Sequence, residues 1–487
     1  MGIPSFYRHL CRRHPTIITS KIVRPAWLCL DFNCAMYHVL HKMEPGSDKV
    51  WEGKFRKAIC AYLEEIVDLV LPTAGVYVSC DGIVCAAKRR QQRLRRFKGP
   101  YLASLEGKEE GWDQNALTPG SAFMASLAKD LVKKGVTLQK SLGLPVLVST
   151  TEEPGEGEHK LMAHMRSLES SCMIYGLDAD LMLLAMLLVS EKGAPVHLLR
   201  EAQEFEQGGS GWRTVDIQAL QTALFPESPI PVAKQTDDFV AAMSLLGNDF
   251  LPKSLTYTVR DDGIPKLIQI LDQLWSQGKT LVNGTIDQDN LHYIIRQFAS
   301  REEEALVTAC LSAVRQRIRA NDRESLPAQW ATILQLYAGS RTLKPGWRSI
   351  YAGWRDGSGP EEYLAGVAWV FDYYKGRPVD LGWHYDNHLP PLWSDFAGSN
   401  MVAPRLNYTT YLPAWIHLLA VLPEKSLHLL KKSQLGLFKT HPLYWPSQFS
   451  LFDVGASQLW QTEAIIPIIP EELLRKLDEA APIKSMQ

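Results

Sequence analysis

Two pairs of acids set the chemistry to look for. Glu156 and Glu158 stand two residues apart in "PGEGEHK", and Asp178 and Asp180 repeat that spacing in "YGLDADL". Asp31 ends the apolar run "AWLCLD", Asp81 follows "GVYVSC", and Asp249 lies in "LLGNDFLP". Taken singly, each reads equally well as a strand-end, helix-start or turn acid. Their shared position, where an apolar element gives way to a loop, is what singles them out. Gathering so many carboxylates costs like-charge repulsion unless cations neutralise them. Hard divalent ions with oxygen ligands do this, and Mg2+, for which Mn2+ can substitute, suits a few carboxylates, water and a substrate phosphate. A pair of such ions activates water and stabilises the departing oxygen in phosphodiester hydrolysis.

A dense cationic run follows Asp81. Lys88, Arg89, Arg90, Arg93, Arg95, Arg96 and Lys98 fall on a helix expected over Ala86–Phe97, and they cover more than one of its faces. A helix that polar is either solvated or laid against an anion.

The elements that must position these groups are legible in the first half. "AWLCLDFN", "GVYVSCDG", "GLPVLVSTTEEPGEGEHK" and "SCMIYGLDADLMLLAML" each run a strand into a polar loop, with helical segments between them. That alternation predicts an α/β fold with a mostly parallel sheet, whose binding crevice lies outside the carboxyl ends of the strands. The acids fall there. Ile59, Tyr62, Leu63, Ile66, Val67 and Val70 keep a helical period over 55–71. After Pro252 amphipathic stretches such as "KLIQILDQLW" and "EEEALVTACLSAVRQRI" dominate, with a proline-, glycine- and tryptophan-rich section over 345–400. The chain is therefore expected to divide into 1–252, carrying the acids and the basic helix, and a mainly helical 253–487. No low-complexity linker separates them, so tight packing is expected.

Composition excludes other classes. The chain has 487 residues, 46% apolar and 22% charged, which suits a globular protein with a sizeable core rather than a disordered or fibrous one. A formal net charge of -1 means that any nucleic-acid site must come from local clustering. The 8 cysteines form no CxxC pair and read as thiols in a reducing compartment. "MGIPSFYRHLCRRHP" lacks a secretory apolar region, and no uncharged apolar stretch is long enough to span a bilayer. An intracellular, soluble protein with no membrane partner is expected.

Several separated motifs occur in one order: "MGIPSFYRHL", "LDFN", "DGIVCAAKRRQQRLRRF", "LTPGSAFM", "PGEGEHKLM", "YGLDADLMLL", "DDFVAAMSLLGNDFLP", "WVFDYYKG", "AWIHLLAVLP" and "FDVGASQLWQTEAIIPII". In that order the chain resembles the XRN family of 5'-to-3' exoribonucleases over nearly its whole length, as a compact form comprising essentially the catalytic core. The resemblance implies a sheet of the 5'-nuclease (PIN-like) type. It places the metal carboxylates, the catalytic group, on Asp31, Asp81, Glu156, Glu158, Asp178, Asp180 and Asp249, with two Mg2+ ions. It places the pocket for a terminal 5'-monophosphate on Lys88, Gln92, Arg95 and Arg96, leaving Arg89, Arg90, Arg93 and Lys98 solvated or on the nucleic-acid backbone.

The family's base-stacking histidine is replaced by Tyr37, with His38 read as structural, and the later stacking tryptophan falls on Trp383. A tyrosine can stack without reading base identity; the other reading of Tyr37 is packing beneath its helix, and of Trp383 a core anchor. The N-terminal helix, Pro4 to Leu10, resembles the family's element at the entrance. Processive hydrolysis of single-stranded, 5'-monophosphorylated RNA to mononucleotides is what the resemblance implies, by a monomer in the cytoplasm, with decapping machinery a candidate partner. Two further readings compete: a flap-type 5' nuclease on DNA, and an inactive RNA-binding scaffold.

Overall fold

Short strands buried on both faces fix the architecture. In a strand successive side chains point to opposite faces, and here both faces are covered. The structure is a computed structural model that describes residues 6–105, 107, 111–203, 206, 210–260, 262–315, 331–355, 357–402, 405–453 and 462–480. Seven strands, β1 (Ile18–Thr19), β2 (Trp27–Asp31), β3 (Gly75–Ser79), β4 (Val146–Ser149), β5 (Cys172–Tyr175), β6 (Val196–Glu201) and β7 (Trp212–Asp216), form one sheet in the order β1-β7-β6-β5-β2-β3-β4. From β4 to β6 every pairing is parallel, while β7 runs antiparallel to β6 and to β1. Central β2 has later strands on both sides, so the topology switches direction between β2 and β5.

Ten helices belong with this sheet: α1 (Phe6–Arg13), α2 (Asn33–Lys42), α3 (Lys49–Val70), α4 (Ala86–Leu105), α5 (Ala122–Leu142), α6 (Gly157–Arg166), α7 (Asp180–Lys192), α8 (Ile217–Leu224), α9 (Val232–Met243) and α10 (Gly263–Trp275). Leu28, Leu30, Val76, Val78, Met173 and Tyr175 face a core shared with α2, α3 and α5. Cys29, Cys172, Ile174 and Leu198 face the opposite core, with α6, α7 and α9. Helix α7 is buried from Leu181 to Val189. Its lack of a polar face, visible in "LMLLAMLLV", follows from lying between the sheet and α9.

The expected helix over 55–71 is observed as α3, and the basic helix extends further than expected, to Leu105. The N-terminal helix begins at Phe6; Pro4 and Ser5 lie outside the described residues, as does 454–461 within "FDVGASQLWQTEAIIPII". Beyond Pro252 the chain is helical in large part, but it also holds a three-stranded sheet of Ala331–Thr332, Ser450–Asp453 and Glu463–Ile465. The core on the α7 side runs without a break from Phe6 to Phe396, so both halves of the chain share it. A second body of apolar residues, from Leu412 to Leu474, closes over Phe97 and Leu102 of α4. No helix among the described residues is long and apolar enough to cross a membrane, and all eight cysteines are free thiols.

Candidate active site

Four parallel strands deliver acids to one edge. Asp31 is the last residue of β2, Asp81 lies just past β3, Glu156 caps α6 after β4, and Asp180 opens α7 after β5. Unpaired backbone N–H groups at the starts of α6 and α7 favour anions there. The loops are braced against each other: Gly82 N donates to Gly155 O at 2.8 Å and Gly155 N to Ile83 O at 2.7 Å. Gly157 is the close approach between them. Its N–H donates to Asp81 Oδ1 at 2.7 Å, and a Cβ there would lie 2.9 Å from Asp31 Oδ1 and 3.3 Å from Asp81 Oδ1. Asp249 arrives from elsewhere, on a tight turn after α9 in which Asn248 Oδ1 accepts from both Phe250 N and Leu251 N at 2.9 Å.

One cavity of about 60 Å3 is lined by the acids Asp31, Asp81, Glu156, Glu158, Asp178 and Asp249 together with Lys88, Gln92, Arg95, Arg96 and Tyr37. Asp180, fully buried, has neither carboxylate oxygen hydrogen-bonded, and Glu158 Oε1 accepts no hydrogen bond either. Burial, then the neighbouring Asp81, Asp178 and Asp180, pushes the Asp31 carboxyl well up. Burial, then Asp180, does the same to Glu158. Asp180 rises to about 7 through burial, against the lowering field of Lys88. Unpaired buried carboxylates crowded by their own kind are the donor set that a divalent cation neutralises. The residues therefore fit the Mg2+ centre that their pattern implies. The ligand atoms of Glu156, Glu158 and His159 also lie within 4.8 Å of one another, which adds a histidine that sequence reasoning had not considered.

Helix α4 carries the opposing charge in a strict register. Lys88, Gln92, Arg95 and Arg96 stand at i, i+4, i+7 and i+8, which is one helix face. Lys88 Nζ lies 2.5 Å from Glu156 Oε2, 2.9 Å from Asp249 Oδ2 and 4.0 Å from Glu158 Oε1. It thus bridges the acids and the cationic wall rather than standing with Arg95 alone. Although burial works against its charge, these acids hold its pKa well above the ordinary lysine value. Arg96 is buried beside Gln92, donating to its Oε1 at 3.1 Å, and burial lowers its pKa to about 10, so it remains a cation at neutral pH.

The other cations of α4 correct the expectation of solvent or backbone contacts. Arg89 pairs with buried Glu471. Arg93 donates to Ala420 O at 2.7 Å and to Tyr444 O, with its guanidinium 4.4 Å from the Phe97 ring. Arg90 reaches Asn387 O at 2.9 Å and Lys98 reaches Thr462 O at 2.7 Å. They are spent on carbonyls and a carboxylate of the C-terminal half, whose exposed helix and loop ends need donors.

The aromatic candidates divide. Tyr37 is half-buried: it packs on the core beneath α2 and also lines the cavity. His38 stacks on Tyr62 at 4.8 Å, a packing role. Trp383 is absent from the cavity wall; it stacks on Trp369 at 4.9 Å and closes on Gly366. Sequence reasoning missed Tyr373, whose hydroxyl donates to Glu156 Oε1 at 2.7 Å from the other half of the chain. Its only signal was its place in "WVFDYYKG".

Two stretches of the chain match models of known families. Residues 1–202 match the family described as XRN 5'-3' exonuclease N-terminus, and 360–486 match the Xrn1 helical domain. The chain is 31% identical over 339 residues to 5'-3' exoribonuclease 1 of Saccharomyces cerevisiae, covering 60% of this chain and 22% of the yeast protein. To 5'-3' exoribonuclease 1 of Homo sapiens it is 25% identical, covering 97% of this chain and 34% of the human protein. The Schizosaccharomyces pombe protein of the same name is 24% identical, covering 97% and 48%. The chain thus spans less than half the length of these relatives. The catalytic core of Rad2 in complex with a DNA substrate is a partial structural likeness, with a TM-score of 0.33 and 16% identity over 62% of this chain and 76% of that one. By its two family matches and by relatives that align along almost its entire length, the chain belongs to the XRN family, with a mostly parallel α/β sheet in the first half and the family's helical domain in the second.

Proposed function

We propose that this chain is a processive, Mg2+-dependent 5'-to-3' exoribonuclease that hydrolyses 5'-monophosphorylated single-stranded RNA to 5'-mononucleotides. The observation that carries the reading is one cavity lined both by six carboxylates and by Lys88, Gln92, Arg95 and Arg96. Its relatives' names supply the direction of degradation and the RNA. Asp31, Asp81, Glu156, Glu158, Asp178, Asp180 and Asp249 would hold two Mg2+ ions, which supply Lewis acidity at the scissile phosphate and lower the pKa of the attacking water.

The chain's own residues do the rest. Arg95 and Arg96 offer planar forks to the terminal phosphate and Lys88 a point charge, with Gln92 orienting Arg96. Tyr37 presents a ring to the first base. Water attacks the phosphorus between the first and second nucleotides, the bond to the 3'-oxygen breaks, and that oxygen leaves protonated on the mononucleotide. The phosphate stays on the second nucleotide as a fresh 5'-monophosphate, the group that the α4 face receives, and this recurrence is the basis of processivity. Because "KRRQQRLRR" is folded, with Lys88, Arg89, Arg93 and Arg96 buried, it is not displayed as an extended import signal, which supports a cytoplasmic location.

Mononucleotide release with Mg2+ from RNAs that differ only in a 5'-monophosphate, triphosphate or hydroxyl tests the reading, beside a protein carrying Asp178→Ala and Asp180→Ala. Processive loss of the monophosphorylated strand alone, abolished in the double variant, is expected. Cleavage of a DNA flap in preference to RNA would favour the flap-nuclease reading, and no metal-dependent release from any strand would favour the scaffold.

A further inference from the structure

The helix Pro360–Tyr374 brings a residue of the C-terminal half into the acid cluster. Tyr373 donates its hydroxyl to Glu156 Oε1 at 2.7 Å, while Lys88 holds Oε2 of the same carboxylate at 2.5 Å. Glu156 is 1% exposed and precedes α6 in extended backbone, so these two donors fix which way its carboxylate turns. Desolvation pushes the Tyr373 phenol well up, and it stays a proton donor.

The ring is as constrained as the hydroxyl. It stacks on Trp369 at 4.9 Å and 20°, lies 3.9 Å from the His159 ring, and takes Phe250 edge-on at 5.5 Å. Trp369 in turn stacks on Trp383 and donates its Nε1–H to Asp380 O at 2.9 Å, anchoring the loop that carries Trp383. One helix thus touches the metal-site carboxylate at its end and the candidate base-stacking tryptophan one turn earlier.

We propose that Tyr373 is a positioning residue of the metal centre, its hydroxyl setting the orientation of Glu156 for cation binding from the far half of the chain. The inference rests on the reading of Glu156 as a metal ligand under the proposed function. Hydrogen-bond partners of metal ligands typically contribute roughly 10–100-fold to metal affinity, and the buried, aligned donor here belongs to that class.

Calorimetric titration of the chelator-stripped full chain with Mn2+, without RNA, tests it. Tyr373→Phe keeps the aromatic stack and removes only the donor. Tyr363→Phe removes a hydroxyl from the same helix that bonds Ser244 O and Pro252 O instead. Expected are a loss of Mn2+ affinity of roughly 10-fold or more in Tyr373→Phe, wild-type affinity in Tyr363→Phe, and no further loss when Tyr373→Phe is added to Glu156→Gln. With RNA, the Mg2+ needed for half-maximal rate rises while KM for RNA holds. Affinity within twofold of wild type in Tyr373→Phe, or an equal loss in Tyr363→Phe, overturns the proposal alone. A wild-type chain that binds no Mn2+ overturns the metal-centre reading and the proposal with it.

Discussion

Two faces of α4 carry the same residue types and have different fates. Lys88, Gln92, Arg95 and Arg96 line a cavity rich in acids, while Arg89 and Arg93 are buried, and Lys98 half-buried, against the C-terminal half. Charge density does not separate them, but register does. Residues at i, i+4, i+7 and i+8 share a face, and so do Arg89, Arg93 and Phe97, turned by one residue to meet Ala420, Tyr444 and Glu471. A run that looks solvated in sequence is a spine gripped on one side by fold and left open on the other for an anion.

That division can be broken by mutation. Charge-assisted hydrogen bonds contribute about 1.5–3 kcal/mol each, so replacing both Arg95 and Arg96 by alanine should cost roughly 10²–10⁴-fold in kcat/KM on 5'-monophosphorylated RNA. Little change in thermal unfolding is expected alongside that loss in steady-state rates. Arg93→Ala should do the reverse. It strands the buried Ala420 carbonyl and the part-buried Tyr444 and Pro467 carbonyls, at about 1–3 kcal/mol for a buried one, and removes the ring contact at 4.4 Å, so denaturant unfolding should show a loss of roughly 3–5 kcal/mol with the preference for a 5'-monophosphate intact.

Arg89→Ala is a milder case. Glu471 keeps Arg475, whose Nε lies 2.9 Å from Oε1, and a stability loss of about 2 kcal/mol is expected from one lost charged bond. The pH response sharpens the acid side. Asp180 titrates near 7 against an ordinary 3.8, so in the folded chain it keeps a proton that the unfolded chain has released. The metal-free protein therefore loses stability as pH rises from about 4 through 7. Mg2+ binds the deprotonated form, and its stabilisation in thermal scans should grow between pH 6 and pH 8. Smallest of all, Lys98→Ala removes the half-buried charged bond to Thr462 O, about 1.5 kcal/mol at the low end of the charged range, with turnover unchanged.

Local pattern made much of this legible. Apolar runs ending in Asp31, Asp81 and the 178–180 pair announced strands, because a buried parallel strand has no polar positions to confuse its reading. Glu156 and Glu158 were legible as helix-start acids for the same local reason. What escaped depends on contacts across the chain. Tyr373 meets Glu156 at a separation of 217 residues and Arg89 meets Glu471 at 382, and no periodicity encodes such pairings. The resemblance separated the two faces of α4, but the partners of Arg89, Arg93 and Lys98 escaped, since they depend on where the C-terminal half packs on that helix. Trp383 was singled out by resemblance; the helix over Pro360–Tyr374 is legible in "GSGPEEYLAGVAWVFDYYKG", but the stack of its Trp369 on Trp383 is a tertiary contact that no local pattern encodes.

The most direct test is the ratio of kcat/KM for 5'-monophosphate over 5'-hydroxyl RNA, measured in wild type, Arg96→Ala and Arg93→Ala under conditions where all three are folded. The account predicts that the ratio collapses toward one in Arg96→Ala and holds at the wild-type value in Arg93→Ala. An unchanged ratio in Arg96→Ala, or an equal collapse in both, would contradict the assignment of the cavity face of α4 to the terminal phosphate.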